Sequence, residues 1–205
     1  MRTIALAVLL ATPLLANAGL QNLVVNGGFE ATNQNNGSWN IYQDLPGWTG
    51  GIAGIELRNN VAGTASEGHN FVELDTTKNS SMWQSFSSTA GQHFTLSFDY
   101  SPRPGVATAS NGIEVLWNNT NVATFTQAGG SLNAWSSQSF DLIGAANSST
   151  LLFRAIGVSD SYGGSLDNVR LTTAPIPEPE TWAMMMLGMG ALGVVARRRA
   201  KAQQA

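Results

Sequence analysis

Between residues 94 and 100 the chain alternates without a break, with Phe94, Leu96, Phe98 and Tyr100 separated by Thr95, Ser97 and Asp99. A side-chain period of two belongs to a strand that turns one face to a core. Ile113, Val115 and Trp117 repeat the pattern after Asn111-Gly112, and Asn118–Asn121 reads as a turn into a partner strand at Val122–Thr126, which predicts a hairpin. The same reasoning predicts strands at Leu23–Val25, Ser38–Tyr42, Ile52–Leu57, Phe71–Leu74, Met82–Ser87, Trp135–Leu142, Leu151–Ile156 and Asp167–Thr172. Clusters of Gly, Asn, Ser and Pro separate them, and no amphipathic helix of ordinary length interrupts the series. Many short strands at roughly even spacing predict an all-β fold, either two packed sheets or a barrel. Trp117 lies in phase with Ile113 and Val115, and Trp48 follows Pro46-Gly47; both are expected in the core. Trp83 sits where either strand face could be the inner one.

Both ends of the chain break this pattern. Met1-Arg2, the apolar run Ile4–Leu15 and the small residues of Ala16-Asn17-Ala18 form a secretory signal, so the mature chain is expected to begin near Gly19. At the other end, Pro177-Glu178-Pro179 precedes an uncharged run from Trp182 to Ala196 and the cations Arg197, Arg198, Arg199 and Lys201. The two prolines impose extended backbone on themselves and on the residues before them, a preformed strand for a protein-reading enzyme. As a helix at ~1.5 Å per residue, the apolar run would reach roughly 22 Å, short of a bilayer core of about 30 Å. The basic cluster compensates, since it is held on the cytoplasmic side and its long stems snorkel. The predicted organisation is therefore a signal peptide over 1–18, a β-domain over 19–172, a linker with the Pro-Glu-Pro motif over 173–179 and an apolar helix with a basic tail over 180–205.

Charge narrows the function. Residues 19–174 hold five basic and eleven acidic side chains, a formal charge of −6. Nucleic-acid binding needs clustered cations, so nucleic acid is excluded as a partner, while a cation is a plausible one. Cysteine is absent, so neither a disulfide framework nor a thiol nucleophile exists. His69 and His93 are isolated, with neither a His-Glu-x-x-His pattern nor a Gly-x-Ser-x-Gly elbow elsewhere. No pair among the acids stands out as a glycosidase dyad. The domain is expected not to be an enzyme.

Two resemblances add to this reading. The motif Pro177-Glu178-Pro179, the apolar run and the arginine cluster resemble the PEP-CTERM sorting tail of bacteria, with Ile176 where that tail usually opens on valine. The resemblance implies an exosortase-type membrane enzyme as partner, a transient stay in the inner membrane, cleavage near the motif and a destination at the cell surface or in an exopolysaccharide matrix. Leu23-Val-Val-Asn-Gly-Gly-Phe-Glu30 opens the β-domain and Gly164-Ser-Leu-Asp-Asn-Val169 closes it. Between them stand Leu45-Pro-Gly-Trp48, Val72-Glu-Leu-Asp75 and Trp83-Gln-Ser-Phe86. In this order and spacing they resemble the galactose-binding-like jelly roll of carbohydrate-binding modules. That resemblance implies a β-sandwich whose first and last strands lie together, often around a structural calcium ion.

Two candidate sites follow. Trp39, Tyr42, Trp135 and Tyr162 sit among Asn, Gln, Ser and Gly, where exposed rings would stack on the apolar faces of sugars. The other is a calcium site joining the ends of the domain. Strict alternation in the closing strand places Asp167 on the face of Val169 and Leu171, where an ionised carboxylate needs a cation or several donors. The jelly-roll resemblance puts Glu30 beside it. Calcium takes six to eight oxygens, for which Glu30, Asp167 and backbone carbonyls near Gly28 are the candidates. The alternative partners of the two acids are backbone amides, or Arg170 and Arg58. The function expected is glycan association by a non-catalytic surface or matrix protein; the alternative is a structural or adhesin protein without a sugar site.

Overall fold

The computed structural model describes residues 21–173 and 186–189. Twelve strands follow in order. They are β1 (Ser38–Tyr42), β2 (Asp44–Leu45), β3 (Trp48–Gly50), β4 (Ile55–Asn59), β5 (Asn70–Glu73) and β6 (Ser81–Ser88), then β7 (His93–Ser101), β8 (Gly112–Trp117), β9 (Thr120–Phe125), β10 (Ser136–Ile143), β11 (Asn147–Ile156) and β12 (Ser165–Thr173). They form two six-stranded sheets, ordered β1-β4-β5-β12-β7-β10 and β2-β3-β6-β11-β8-β9. Every pairing is antiparallel. This is the jelly-roll sandwich expected from the sequence.

The period-two pattern explains the core. Phe94, Leu96, Phe98 and Tyr100 of β7, Ile113 and Val115 of β8, and Leu151 and Phe153 of β11 are buried between the sheets. Phe98 packs edge-on against Phe153 at 5.2 Å between centroids, and Tyr100 stacks on Phe125 at 5.1 Å. Trp117 is in the core, as its phase predicted, and so is Trp48, as expected. The β8–β9 hairpin closes through Asn118 and Asn119, both at positive φ, as a tight turn between twisted strands requires.

Two local expectations are corrected. Leu23–Val25 is no strand. Its amides bond instead to Leu171 O, Asn22 Oδ1 and Gln84 Oε1, because the opening segment turns at once through Asn26 and Phe29, both at positive φ. It still lies along β12, where Val169 N donates to Gly27 O at 2.9 Å. A Cβ on Gly27 would stand 1.9 Å from Val169 O, so only glycine permits this approach. The strand expected over Ile52–Leu57 starts at Ile55, and Ile52 is exposed. The short pair β2–β3 had no alternation long enough to signal it. The signal peptide, Pro177, Glu178, Pro179 and Arg197–Arg199 lie outside the described residues. Residues 186–189 are helical, and among the described residues no helix is long and apolar enough to cross a membrane.

Candidate functional site

Where Ile55, Leu57, Val72 and Leu74 point inward, the residues alternating with them, Glu56, Arg58, Phe71 and Glu73, must point outward from the first sheet. Yet all four outward residues are buried. Loops cross over them. Asn133 Oδ1 accepts from Thr64 N, Trp135 Nε1 donates to Thr64 O, and Ala134 N donates to Ser101 Oγ. Under this cover lies an ionic cluster. Arg58 Nε meets Glu56 Oε1 at 2.6 Å and its Nη1 meets Glu73 Oε2 at 2.6 Å, while Arg103 Nη1 reaches Glu73 Oε1 at 3.1 Å. Gly163 N also donates to Glu73 Oε1. Burial pushes the Glu73 carboxyl up to about 8 against the downward pull of the two guanidiniums. Two acids and two guanidiniums thus share one buried cluster.

Three of the four predicted rings border this face. Trp39 stands opposite Arg58 in the β1–β4 register and is 54% exposed. Trp135, half-buried, packs edge-on against Phe71 at 5.9 Å. Tyr162, 48% exposed, lies over the Arg103 guanidinium at 4.4 Å, a cation–π contact that links it to Glu73. Tyr42 does not belong with them. It is paired with Ile55 on the inner face, packs against the core and donates its hydroxyl to Gln34 Oε1 at 3.0 Å. Positions 39 and 42 differ by an odd number, so a strand must send them to opposite faces.

Asp167 also departs from strict alternation. A bulge between Asp167 and Arg170 adds a residue to β12, with Asn168 at positive φ. Asp167 therefore faces outward opposite Asp99, while Val169 and Leu171 stay in the core. Its Oδ2 accepts from the amides of Ser66 (2.7 Å) and Glu67 (2.9 Å), and its Oδ1 from Asn168 N (2.7 Å). Burial, against these amides, pushes the Asp167 carboxyl up to about 7. Glu30, on the opening segment, accepts from His69 N and Asn70 N, each at 2.7 Å. The two acids thus grip one stretch, residues 66–70, through four of its amides. Arg58 and Arg170 are not their partners, since Arg58 serves Glu56 and Glu73 and Arg170 Nε bonds Asn168 Oδ1. A Cβ on Gly28 would stand 2.3 Å from Glu67 Oε2, so Glu67 closes over the opening segment. The amides satisfy both carboxylates, and among the described residues no three acidic or histidine side chains converge as metal ligands. As arranged, the two carboxylates fasten the 66–70 loop to the opening segment and to β12.

Sequence reasoning missed Glu56, Phe71, Glu73 and Arg103 as members of the face. The available signal was the alternation Ile-Glu-Leu-Arg over residues 55–58 beside Phe-Val-Glu-Leu over 71–74, which puts opposite charges at matching parity on two neighbouring strands.

Comparison with known proteins follows the same division of the chain. The family model for a protein of unknown function, DUF642, matches residues 22–172, and the model for the PEP-CTERM protein-sorting motif matches residues 175–199. A multifunctional-autoprocessing repeats-in-toxin protein of Vibrio vulnificus is 35% identical over 153 residues, 72% of this chain but 3% of that protein. The chain thus spans about 3% of the length of the curated relatives it matches. Among solved structures, the K1 cleaved adhesin domain of Lys-gingipain from Porphyromonas gingivalis superposes with a TM-score of 0.50 at 14% identity, over 67% of this chain and 98% of that one. A family 35 carbohydrate-binding module from Paenibacillus barcinonensis gives a TM-score of 0.43 at 17% identity, over 67% of this chain and 100% of that one. These two likenesses concern the fold alone.

Proposed function

The chain belongs to the DUF642 family, whose function is unknown, and from that premise we propose that it is a non-catalytic, glycan-associating protein of the cell surface or exopolysaccharide matrix. Its PEP-CTERM motif marks it for export. The observation that carries the reading is the set of rings Trp39, Trp135 and Tyr162 along the outer face of the first sheet, held over the buried Glu56–Arg58–Glu73–Arg103 cluster. Aromatic faces accept the apolar C–H faces of sugars. Each ring contributes about 1 kcal/mol beyond area burial, so binding is weak per contact and depends on several. Affinity electrophoresis in polysaccharide gels tests this. The protein should be retarded, and Trp39→Ala with Tyr162→Ala, which removes the two most exposed rings, should be retarded markedly less. Unretarded wild-type protein across a broad polysaccharide panel would favour the structural matrix or adhesin role instead.

Processing completes the proposal. An exosortase-type membrane enzyme reads Pro177-Glu178-Pro179 and cuts near Pro177–Glu180, after Met1–Ala18 has been removed and while Arg197–Arg199 hold the tail in the inner membrane. Intact-mass spectrometry of protein from the native host should find neither terminal segment. A mature mass that still includes the arginines contradicts the cut.

Calcium at Glu30, Gly28 and Asp167 stays a proposal in which the ion shares the two carboxylates with the amides that they accept from. What favours it is that Glu67 and Glu30 lie close over the same loop, against Gly28 and Gly68. Melting in excess calcium and in chelator decides. The amide arrangement predicts superimposable curves; a site filled at a hundred times its Kd adds about 2.7 kcal/mol and a clear rise in Tm.

A further inference from the structure

The second sheet has an open outer face of a different kind. Met82, Phe86, Leu151, Phe153, Ile113 and Val115 are core residues, so the side chains between them point away from it. Register places Trp83 opposite Leu152 and Leu152 opposite Leu116, an apolar row three strands wide. At ~4.8 Å per strand it spans about 10 Å. Trp83 and Leu152 are half-buried and open to solvent, while Leu116 is buried beneath the end of the row. Two residues further along the strands, Arg154 stands opposite Glu114 and is ion-paired with it, its side chain half exposed. Two residues beyond that, Ile156 stands opposite Gly112. Beside Ile156 the surface opens into a depression of about 500 Å³, walled by Thr108, Thr126, Ile156 and Val158. A Cβ on Gly112 would meet Ile156 O at 2.4 Å. From Leu152 to Ile156 the track runs about 13 Å.

We propose that this track is a second glycan-binding surface, so that one domain holds two polysaccharide strands, one against the outer face of each sheet. The inference rests on the glycan reading of the first face. The ligand class follows from the chemistry of the track. The Trp83 indole and Leu152 accept an apolar face; a guanidinium, a carboxylate and two threonine hydroxyls flank it with donors and acceptors. The Arg154–Glu114 pair is formally neutral, and the domain around it carries a charge of −6, which repels polyanions. A ligand with an apolar face, a rim of hydroxyls and no charge fits both terms, which describes a neutral polysaccharide and not a uronate polymer. The two faces lie on opposite sides of a sandwich whose sheets are about 10 Å apart. Two bound strands are therefore cross-linked by one molecule.

The test uses the full chain with hydroxyethylcellulose and galactomannan as neutral probes and polygalacturonate as the charged control. Gel retardation reads binding, and solution viscosity reads cross-linking. Wild-type protein should be retarded by a neutral probe and should raise its viscosity. Trp83→Ala and, separately, Arg154→Ala should keep the wild-type Tm, bind at least about fivefold more weakly and lose the viscosity rise. Trp39→Ala with Tyr162→Ala should also lose the viscosity rise but keep residual retardation, which adding Trp83→Ala abolishes. If Trp83→Ala and Arg154→Ala leave retardation and viscosity unchanged while the Trp39/Tyr162 variant does not bind, the second surface is wrong and the first stands. If the Trp39/Tyr162 variant binds as wild type and Trp83→Ala abolishes binding, the first reading fails and only the second face remains. Preference for polygalacturonate, or a stable dimer in sedimentation that Trp83→Ala dissociates, overturns the neutral-glycan assignment of this face.

Discussion

Glu73→Ala should lower the stability of the β-domain by about 3–5 kcal/mol, the usual cost of removing one partner from a buried ion pair. The carboxylate is inaccessible to solvent, accepts from Arg103 Nη1 and Gly163 N, and is ion-paired with the Arg58 guanidinium. Its loss leaves Arg58, itself buried, with Glu56 as its remaining carboxylate, and frees Arg103 from the position that holds it against Tyr162. At roughly 2–4 °C per kcal/mol for a domain of this size, Tm should fall by about 6–20 °C. A shift below about 2 °C would show that the cluster adds nothing net. The same region sets a pH dependence whose sign follows from burial. The folded-state value of Asp167 is about 7, raised from an ordinary 3.8, and that of Glu73 is raised in the same direction. Between pH 4 and 7 the folded chain therefore binds more protons than the unfolded chain. Stability from this source is fully present below pH 4 and is lost as pH rises through 7. Tm should decline from pH 5 to pH 8, and Asp167→Asn should flatten that decline.

A second large loss is expected from Trp48→Ala, at about 3–5 kcal/mol. The ring is 2% exposed and packs at 5.9 Å from Phe29 and 6.2 Å from Phe153, while its Nε1 donates to Asn26 O at 3.0 Å. It joins the opening segment to the core of the sandwich. Removing it empties a large volume and leaves the Asn26 carbonyl without its donor. Trp48→Phe keeps part of the ring volume and loses the hydrogen bond, so it should cost less than Trp48→Ala. Chemical denaturation measures both, and hydrogen exchange should rise first over residues 22–30. Equal losses for the two variants would place the whole effect in the hydrogen bond.

Tyr42 and Trp39 show how far local pattern reaches. Both rings stand among polar residues, and composition alone groups them as surface platforms. Strand parity separates them once β1 is paired with β4, because the register sends Tyr42 to Ile55 and Trp39 to Arg58. Trp83 was ambiguous for the converse reason. In Ser-Met-Trp-Gln-Ser-Phe either parity carries apolar residues, and only the position of the second sheet shows that Met82 and Phe86 are the inner ones. Glu56, Arg58 and Glu73 read as ordinary outward charges on half-buried strands. Their burial comes from the loop around Thr64 and the segment Asn133–Trp135, which lie far from them in sequence and near them in space.

By itself the sequence determined what depends on neighbours along the chain. That includes the strand period and most strand positions, the inward residues of β7, β8 and β11, the Asn-Asn hairpin turn and the sorting motif. Each rests on backbone geometry or on recognition of a short linear segment, so a window of a few residues suffices. Tertiary structure alone decided which outward faces are covered, that β12 carries a bulge which turns Asp167 away from the core, and that Glu30 and Asp167 spend their charge on the amides of one loop. Those outcomes depend on which distant segment supplies a donor or excludes water. A carboxylate's need for partners is the same whether an amide, a guanidinium or a metal meets it, so the residue alone does not reveal which one arrives.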